Sequence, residues 1–371
     1  MKMSEWNLIN LLCIMHLSST LALGIMSGTS LDGLDLALCR FRKSKQQWQY
    51  ELIRYSTLPY EKRIKEELAT AYTLNGEQLI RLHYRYAEFI AKQVNRFLKK
   101  AGMRPDVIGS HGHTIFHQPG QGMSFQLGSG AVIAALTGID TISDFRSGDV
   151  ALGGQGAPLV PIGDALLFGE YDVCLNLGGI ANLSYQKGRE RMAMDVCPVN
   201  MILNRLASLK GKNFDRNGRL AARGNIHKPL LQKLNRLDYY HQPAPKSLSR
   251  EWFSNCFYPL IHKSSLSVED KLATCCEHIA MQIACQLRPV KSKTCKILVS
   301  GGGAKNRFLM ERLKYHFPAQ WILPSEPLLK MKEAIVFALL AVLRMRNEIN
   351  CLKTVTGACR SSVQGAWYSA R

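Results

Sequence analysis

Leu21-Ala-Leu-Gly-Ile-Met-Ser-Gly-Thr-Ser-Leu-Asp-Gly-Leu-Asp-Leu-Ala-Leu-Cys39 reads as strand, tight turn, strand. Leu21 to Met26 is a short apolar run, long enough for a buried strand and too short for a helix. Beyond the turn, Leu34, Leu36 and Leu38 alternate with Asp35, Ala37 and Cys39, the period of a half-buried strand. The turn itself, Ser27-Gly28-Thr29-Ser30-Leu31-Asp32-Gly33, combines hydroxyls, glycines and one carboxylate. Glycine lets a backbone approach a ligand closely, and N–H groups with hydroxyls can surround phosphate oxygens. An ordinary polar hairpin tip has the same composition.

The decision between those readings comes from later in the chain. Tyr171-Asp-Val-Cys-Leu-Asn-Leu-Gly-Gly-Ile-Ala-Asn-Leu-Ser-Tyr185 is a second apolar strand that turns on glycines, Gly178 and Gly179, into another strand. Two such hairpins about one domain length apart suggest a duplicated architecture whose turns face one ligand. Lys296-Ile-Leu-Val-Ser-Gly-Gly-Gly-Ala-Lys-Asn-Arg307 then runs strand, Gly301–Gly303, helix, with Asn306 just before the helix. A flat group can lie on three glycines, and a helix N-terminus favours negative charge.

Between these landmarks the pattern alternates strands and helices. Asn75, followed by Glu77 and Gln78, opens a helix whose apolar face is Leu79, Leu82, Tyr86, Phe89, Ile90, Val94 and Leu98. Gly102 and Pro105 stop it. Val268 to Leu287 is a helix opened by Ser267 with Asp270 three residues on. Glu333 to Arg346 is a strongly apolar helix that starts with a glutamate.

Three candidate chemical positions stand out. His111, His113 and His117 occupy one loop, but no cysteine or carboxylate set accompanies them, so a cleft-lining role is expected and a metal is not. Asp144 to Leu159 is dense in glycine; it reads as a crossover loop, a binding loop, or both, with Arg146 able to pair with a carboxylate. Asp195 sits at the end of a strand, where it would enter a cleft or cap the following helix.

Composition sets outer bounds. The chain has 371 residues, room for two domains with ample core. Its formal charge of +20 comes from scattered lysines and arginines. That fits steering of a small anion or a compositional bias; no nucleic-acid motif is visible. Eleven cysteines with no C-x-x-C fit a reducing cytoplasm. Lys2, the apolar Leu8 to Met15 and the small residues up to Ala22 resemble a signal peptide. The apolar stretch is too short to span a bilayer. Cleavage near Ala22 would remove part of the first strand, so residues 1–20 are read as an N-terminal extension.

The chain has no G-x-x-x-x-G-K-[ST] and no G-x-G-x-x-G. Its hairpins, strand-end acid and strand–triple-glycine–helix unit resemble the actin/sugar-kinase/heat-shock ATPase superfamily. That implies an α/β fold of two ribonuclease-H-like domains with a nucleotide and substrate cleft between them. Within it the chain resembles the 1,6-anhydro-N-acetylmuramic acid kinase family over residues 22 to about 367. The resemblance lies in Gly24–Asp35, Ser110–Pro119, Asp149–Pro161, Asn176–Ser184, Gln242–Ser247, Ser300–Asn306 and Thr356–Ala358.

The resemblance implies that ATP, water and the anhydro sugar give N-acetylmuramic acid 6-phosphate and ADP in cell-wall recycling. It implies Mg²⁺, a homodimer, and no nucleic-acid or membrane partner. It carries Asp195 over as the catalytic base, and Ser27, Gly28, Thr29, Ser30, Asp32, Gly33, Gly178 and Gly179 as phosphate contacts. Gly301, Gly302, Gly303 and Asn306 would hold the nucleoside. Asp35, His111, Arg146 and Glu333 would meet the sugar, Arg146 at its lactyl carboxylate. The first domain would comprise residues 21–142 and about 355–371, the second 143–354. Where the family has Asp-Thr-Gly-Pro-Gly-Asn, this chain has Asp195-Val-Cys-Pro-Val-Asn200, a loop that must avoid conformations only glycine adopts easily. It also has Gly128-Ser129 for the family's Gly-Asp, and keeps only Arg146 of an arginine-rich run. A kinase for another sugar and a silent ATP-binding module are the competing readings.

Overall fold

A computed structural model describes residues 19–371 except 29, 30, 32, 46, 189 and 291–293. Thr29, Ser30, Asp32 and the extension up to residue 18 therefore lie outside the described residues, while Ser19 and Thr20 already belong to the first strand.

The strands are β1 (Ser19–Ser27), β2 (Leu34–Ser44), β3 (Gln47–Leu58), β4 (Val107–Ser110), β5 (His113–Gln118), β6 (Met123–Leu127) and β7 (Thr141–Ser143). There follow β8 (Val173–Leu177), β9 (Ile180–Lys187), β10 (Glu190–Pro198), β11 (Lys296–Ser300), β12 (Gln320–Ile322) and β13 (Ala366–Tyr368). Among the described residues two compact units emerge, one running from Ser19 to Leu167 with Met331–Arg371, the other Phe168–Lys330.

The first unit holds a sheet of order β13-β7-β4-β1-β2-β3, and the second a sheet of order β10-β9-β8-β11-β12. In each, three antiparallel strands form a meander and the next strand pairs parallel to the first. A fifth strand then pairs parallel to the fourth, β7 in one unit and β12 in the other. The shared order bears out the duplication read from the two hairpins and the ribonuclease-H-like class that the resemblance implies.

Periodic apolar side chains account for the helices of the first unit. After α1 (Lys62–Thr70), α2 (Gly76–Ala101) opens with the reciprocal Asn75–Gln78 capping box and ends on Gly102 in the left-handed conformation. Its Leu82, Tyr86, Ile90 and Val94 pack on Leu23, Ile25, Leu36 and Leu38 of the sheet. Next come α3 (Gly130–Thr137), α4 (Ser147–Ala151) and α5 (Pro161–Leu167). The second unit adds α6 (Asn200–Ser208), α7 (Val268–Leu287), capped by Ser267 onto the Asp270 N–H, and α8 (Arg307–His316).

The helix expected from Glu333 starts earlier, as α9 (Glu326–Met345). Pro327, tolerated in a first turn, sits next to that start, so Glu333 lies about two turns inside the helix. Two glycines bring α9 onto the first sheet. Gly24 of β1 and Gly109 of β4 are direct partners in the parallel pair. A side chain at Gly24 would meet the backbone of Ala334 and Ala338, and one at Gly109 the Phe337 carbonyl. The sheet thus carries α2 on the face of Leu23 and Ile25, and α9 on the face of the glycines.

The domain boundaries differ from those expected. The first unit extends through Leu167 instead of ending at residue 142, and the chain returns to it at Met331 instead of about 355. The glycine-rich loop explains the first shift. Asp149 is 1% exposed and accepts from the Gly156 N–H and the Thr356 hydroxyl at 2.8 Å each. The α9 glycine contacts explain the second. Among the described residues, no helix is long and apolar enough to cross a membrane.

Candidate active site

In the first unit, the ends of β2 and β4, the second turn of α9 and the loop before α4 bring four of the expected residues into one electrostatic group. Arg146 donates from Nη1 to the Gly156 carbonyl and from Nη2 to His111 Nε2, both at 2.7 Å. An arginine is always a donor, so His111 Nε2 accepts and its Nδ1–H donates to the Gly112 carbonyl at 2.9 Å. Burial first, then the neighbouring Arg146 charge, holds the His111 pKa well below the usual histidine value. His111 is thereby a neutral imidazole of fixed orientation.

Burial lowers Arg146 to about 10, against the pull of Glu333. Glu333 is pushed up, mainly by burial; Lys332 and Arg146 oppose the rise and Asp35 adds to it. Lys332 is itself tied to Asp164 at 2.7 Å. Asp35 accepts from the Thr57 hydroxyl at 2.5 Å. Two carboxylates, one guanidinium and one neutral imidazole thus act on one another electrostatically. Arg146 Nε is buried with no hydrogen-bond partner among the described residues. Two guanidinium nitrogens already serve the protein, so the free part of Arg146 is narrower than an open fork.

The first turn behaves differently from its composition. The Ser27 hydroxyl is buried and accepts from Tyr60 OH at 2.7 Å, while it lies 2.9 Å from His113 Nδ1. Tyr86 OH completes the chain by donating to Tyr60. The Ser27 hydroxyl is therefore committed within the protein. Gly28 accepts from the Leu31 N–H at 3.2 Å. A side chain at Gly33 would run into the Leu58 backbone.

In the second unit the glycines converge. The carbonyls of Gly178 and Gly179 accept from the first N–H groups of α6, at 3.2 Å from Asn200 and 2.8 Å from Val199. Asn200 Nδ2 donates to the Leu177 carbonyl. Gly301 has φ 82°, a conformation that favours glycine, and a side chain there would strike Asn176 and Leu177. One at Gly303 would strike Leu177, and one at Gly302 would lie 3.6 Å from Asn200 Nδ2. The β8–β9 turn, the β11 turn and the start of α6 thus pack closely through their glycines, and the backbone of such a glycine turn can approach a nucleotide. Asn306 caps α8, its Oδ1 accepting from the Leu309 N–H at 3.0 Å.

Asp195 stands at a bulge in β10, where the register shifts between Asp195 and Cys197. Bulges re-aim side chains next to functional sites. Its Oδ2 accepts from the Leu248 N–H at 2.9 Å. Burial raises its pKa to about 6, and the Leu248 bond opposes that rise. Such a carboxylate is mostly ionised at neutral pH yet basic enough to accept a proton. Neither Cys197 nor Val199 takes a positive φ, so the loop without glycines satisfies the condition its sequence imposed. Among the described residues no group of three or more His, Cys, Asp or Glu is arranged to hold a metal.

Several supporting residues were not singled out from the sequence: Tyr239, Lys246 and Leu248 around Asp195, and Asp149 behind Arg146. The run Gln242–Ser247, next to Leu248, was the available signal for the first group.

The model of the anhydro-N-acetylmuramic acid kinase family matches residues 20–370. The anhydro-N-acetylmuramic acid kinase of Vibrio vulnificus (strain YJ016) is 36% identical over 367 residues, covering 94% of this chain and 98% of that protein. That of Caldanaerobacter subterraneus subsp. tengcongensis is 33% identical over 389 residues, covering 96% and 98%. Among solved structures, Acidaminococcus fermentans (R)-2-hydroxyglutaryl-CoA dehydratase component A aligns with 12% identity and a TM-score of 0.43, over 87% of this chain and 97% of that one.

Proposed function

The chain belongs to the anhydro-N-acetylmuramic acid kinase family, and from that premise we propose how its residues divide the work of an ATP-dependent sugar kinase. The substrates are ATP, water and 1,6-anhydro-N-acetylmuramic acid; the products are N-acetylmuramic acid 6-phosphate and ADP. Asp195 is the general base. With Oδ2 engaged by Leu248, Oδ1 takes a proton from water as the water oxygen bonds to the anomeric carbon. The C1–O6 bond breaks, and O6 attacks the γ-phosphorus in line as the bond to ADP breaks. The proton then leaves Asp195 for solvent.

The glycine turns at 178–179 and 301–303 receive the nucleotide, and their convergence at the start of α6 is what supports this role. Asp35, His111, Arg146 and Glu333 orient the sugar. The neutral His111, with both ring nitrogens engaged, holds the Arg146 guanidinium in place, and the Arg146 charge faces the lactyl carboxylate. Mg²⁺ fits as an ion carried on the nucleotide's phosphates, since that ion keeps most of its ligands as water and phosphate. It would neutralise charge at the transferring phosphoryl group. A homodimer and a cytoplasmic location belong to the same proposal, supported by the family alone.

The observation that carries the reading is the Asp195 carboxylate, raised to about 6 at a strand bulge. Incubation with ATP, Mg²⁺ and the anhydro sugar should yield sugar 6-phosphate and ADP in equal amounts. Asp195→Asn should form neither while still binding ATP. Wild-type inactivity, or full activity in the variant, would sink the mechanism. Phosphorylation of plain N-acetylglucosamine alone would redirect it to another sugar.

A further inference from the structure

β10 is an edge strand of the second sheet. The outward polar groups of an edge strand need partners. At Asp195 the segment 239–248 supplies them. The Asp195 N–H donates to the Lys246 carbonyl at 3.0 Å. The Tyr239 hydroxyl donates to the Asp195 carbonyl at 2.8 Å. The Leu248 N–H takes one carboxylate oxygen at 2.9 Å. One short segment thus holds the main-chain N–H, the main-chain carbonyl and one side-chain oxygen of the same residue.

The segment is in turn braced by a buried cation. Lys246 is 8% exposed, and its Nζ donates to the Tyr239 carbonyl at 3.1 Å while lying 4.8 Å from the centre of the Tyr239 ring. Burying an ammonium is costly, and a lysine that only filled space would be cheaper as a methionine. Here the charge closes a loop. Lys246 fixes both the backbone and the ring of Tyr239, and Tyr239 fixes Asp195. Tyr239 also packs against Tyr240 and Trp252 at ring distances of 5.7 and 5.2 Å, so its hydroxyl has little freedom.

We propose that Tyr239 and Lys246 are positioning residues for Asp195, holding its main chain so that Oδ2 is fixed on Leu248 and Oδ1 alone faces the reacting water. The inference rests on Asp195 being the base. The phenol suits the task because burial, followed by the Asp195 charge, pushes its pKa up, so it remains a donor throughout the working range. Burial lowers the Lys246 pKa, the cost of keeping an ammonium at its contacts with the Tyr239 carbonyl and ring.

The test uses Tyr239→Phe, Lys246→Met and Asp195→Asn in the full chain, with steady-state kinetics against both substrates across pH 4.5–9 and thermal melting. Tyr239→Phe and Lys246→Met each should lower kcat roughly tenfold, a fraction of what a general base contributes. KM for ATP and sugar should stay within about twofold. Loosening admits water to the carboxylate, so the acid limb of the kcat profile should move down from near 6 towards the ordinary carboxylate range. A structural role alone would lower the melting temperature and leave the limb in place.

An unmoved limb with unchanged kcat in both variants, beside an inactive Asp195→Asn, would overturn the positioning role and leave the base assignment standing. A raised KM with unchanged kcat would also overturn it. An active Asp195→Asn would overturn the base assignment, and the positioning role with it.

Discussion

Arg146 Nη2 donates to Nε2 of His111 at 2.7 Å, which fixes that histidine as the neutral Nδ1–H tautomer. The guanidinium therefore does two things at once: it orients an imidazole and places a positive charge beside Glu333. Lysine can supply the charge, but not the planar fork that reaches both Gly156 and His111.

Arg146→Lys should accordingly raise KM for the sugar about 10- to 100-fold, the range of one or two lost charge-assisted hydrogen bonds, and leave KM for ATP unchanged. Steady-state kinetics with each substrate varied in turn would show this. A sugar KM equal to wild type would mean that Arg146 serves only to hold the loop.

Much of the scaffold could be read before any coordinates. Local rules were sufficient where the deciding atoms are close in sequence: the Asn75–Gln78 box and the Ser267 cap appear as expected. The half-buried alternation expected at Leu34–Cys39 does not hold, because Ala37 and Cys39 on the other face are buried as fully as the leucines. Roles set by distant partners were hidden. Nothing near Ser27 says that its hydroxyl meets Tyr60 and His113, 33 and 86 residues away. Nothing near Asp149 says that it meets Thr356, 207 residues on, which is why the domain boundary was expected too early. Glu333 was misplaced within its helix for a local reason: Lys330 and Lys332 interrupt the apolar run, which hides that the helix already begins at Glu326. Residue types at the site were legible; their hydrogen-bond commitments were not.

Asp195 should leave two signatures that run in opposite directions with pH. Activity needs the ionised form, so kcat should rise with pH through about 6. Stability should fall over the same interval. The folded pKa lies above the ordinary value of 3.8, so the native state binds more protons between pH 4 and 6, and raising the pH costs stability there. Asp195→Asn removes the charge and keeps an acceptor for Leu248. It should be more stable than wild type at pH 8, by about 2–3 kcal/mol, and nearly equal to it at pH 4. Urea titrations at the two pH values would decide; equal stabilities at pH 8 would refute the raised pKa.

The second unit should also be acid-sensitive, through His278. This residue is fully buried, 2.6 Å from Asn235 Oδ1 and 2.9 Å from the Tyr240 hydroxyl, and burial lowers its pKa to about 3. The unfolded chain protonates it near 6.5, so this contribution is complete above that value and is lost as the pH falls towards 3. Proton-detected titration of the histidines should find His278 neutral at pH 5. A His278 resonance titrating near 6.5 in the folded protein would contradict the buried network.

The packing of α9 gives the sharpest stability contrast. Gly24 and Gly109 face the helix backbone, and a methyl group at either would overlap a carbonyl that cannot rotate away. Gly120 has nothing within 4 Å of the equivalent position. Gly24→Ala and Gly109→Ala should each cost about 3 kcal/mol or more, the upper range for overpacking against backbone; Gly120→Ala should be within about 0.5 kcal/mol of wild type. Because α9 also carries Glu333, any Gly24→Ala protein that remains folded should bind the sugar more weakly and ATP as before. Melting temperatures of the three variants, with sugar and ATP titrations on the folded ones, would test both parts. A Gly24→Ala protein as stable as Gly120→Ala would mean that α9 does not rest on the β1–β4 glycine pair.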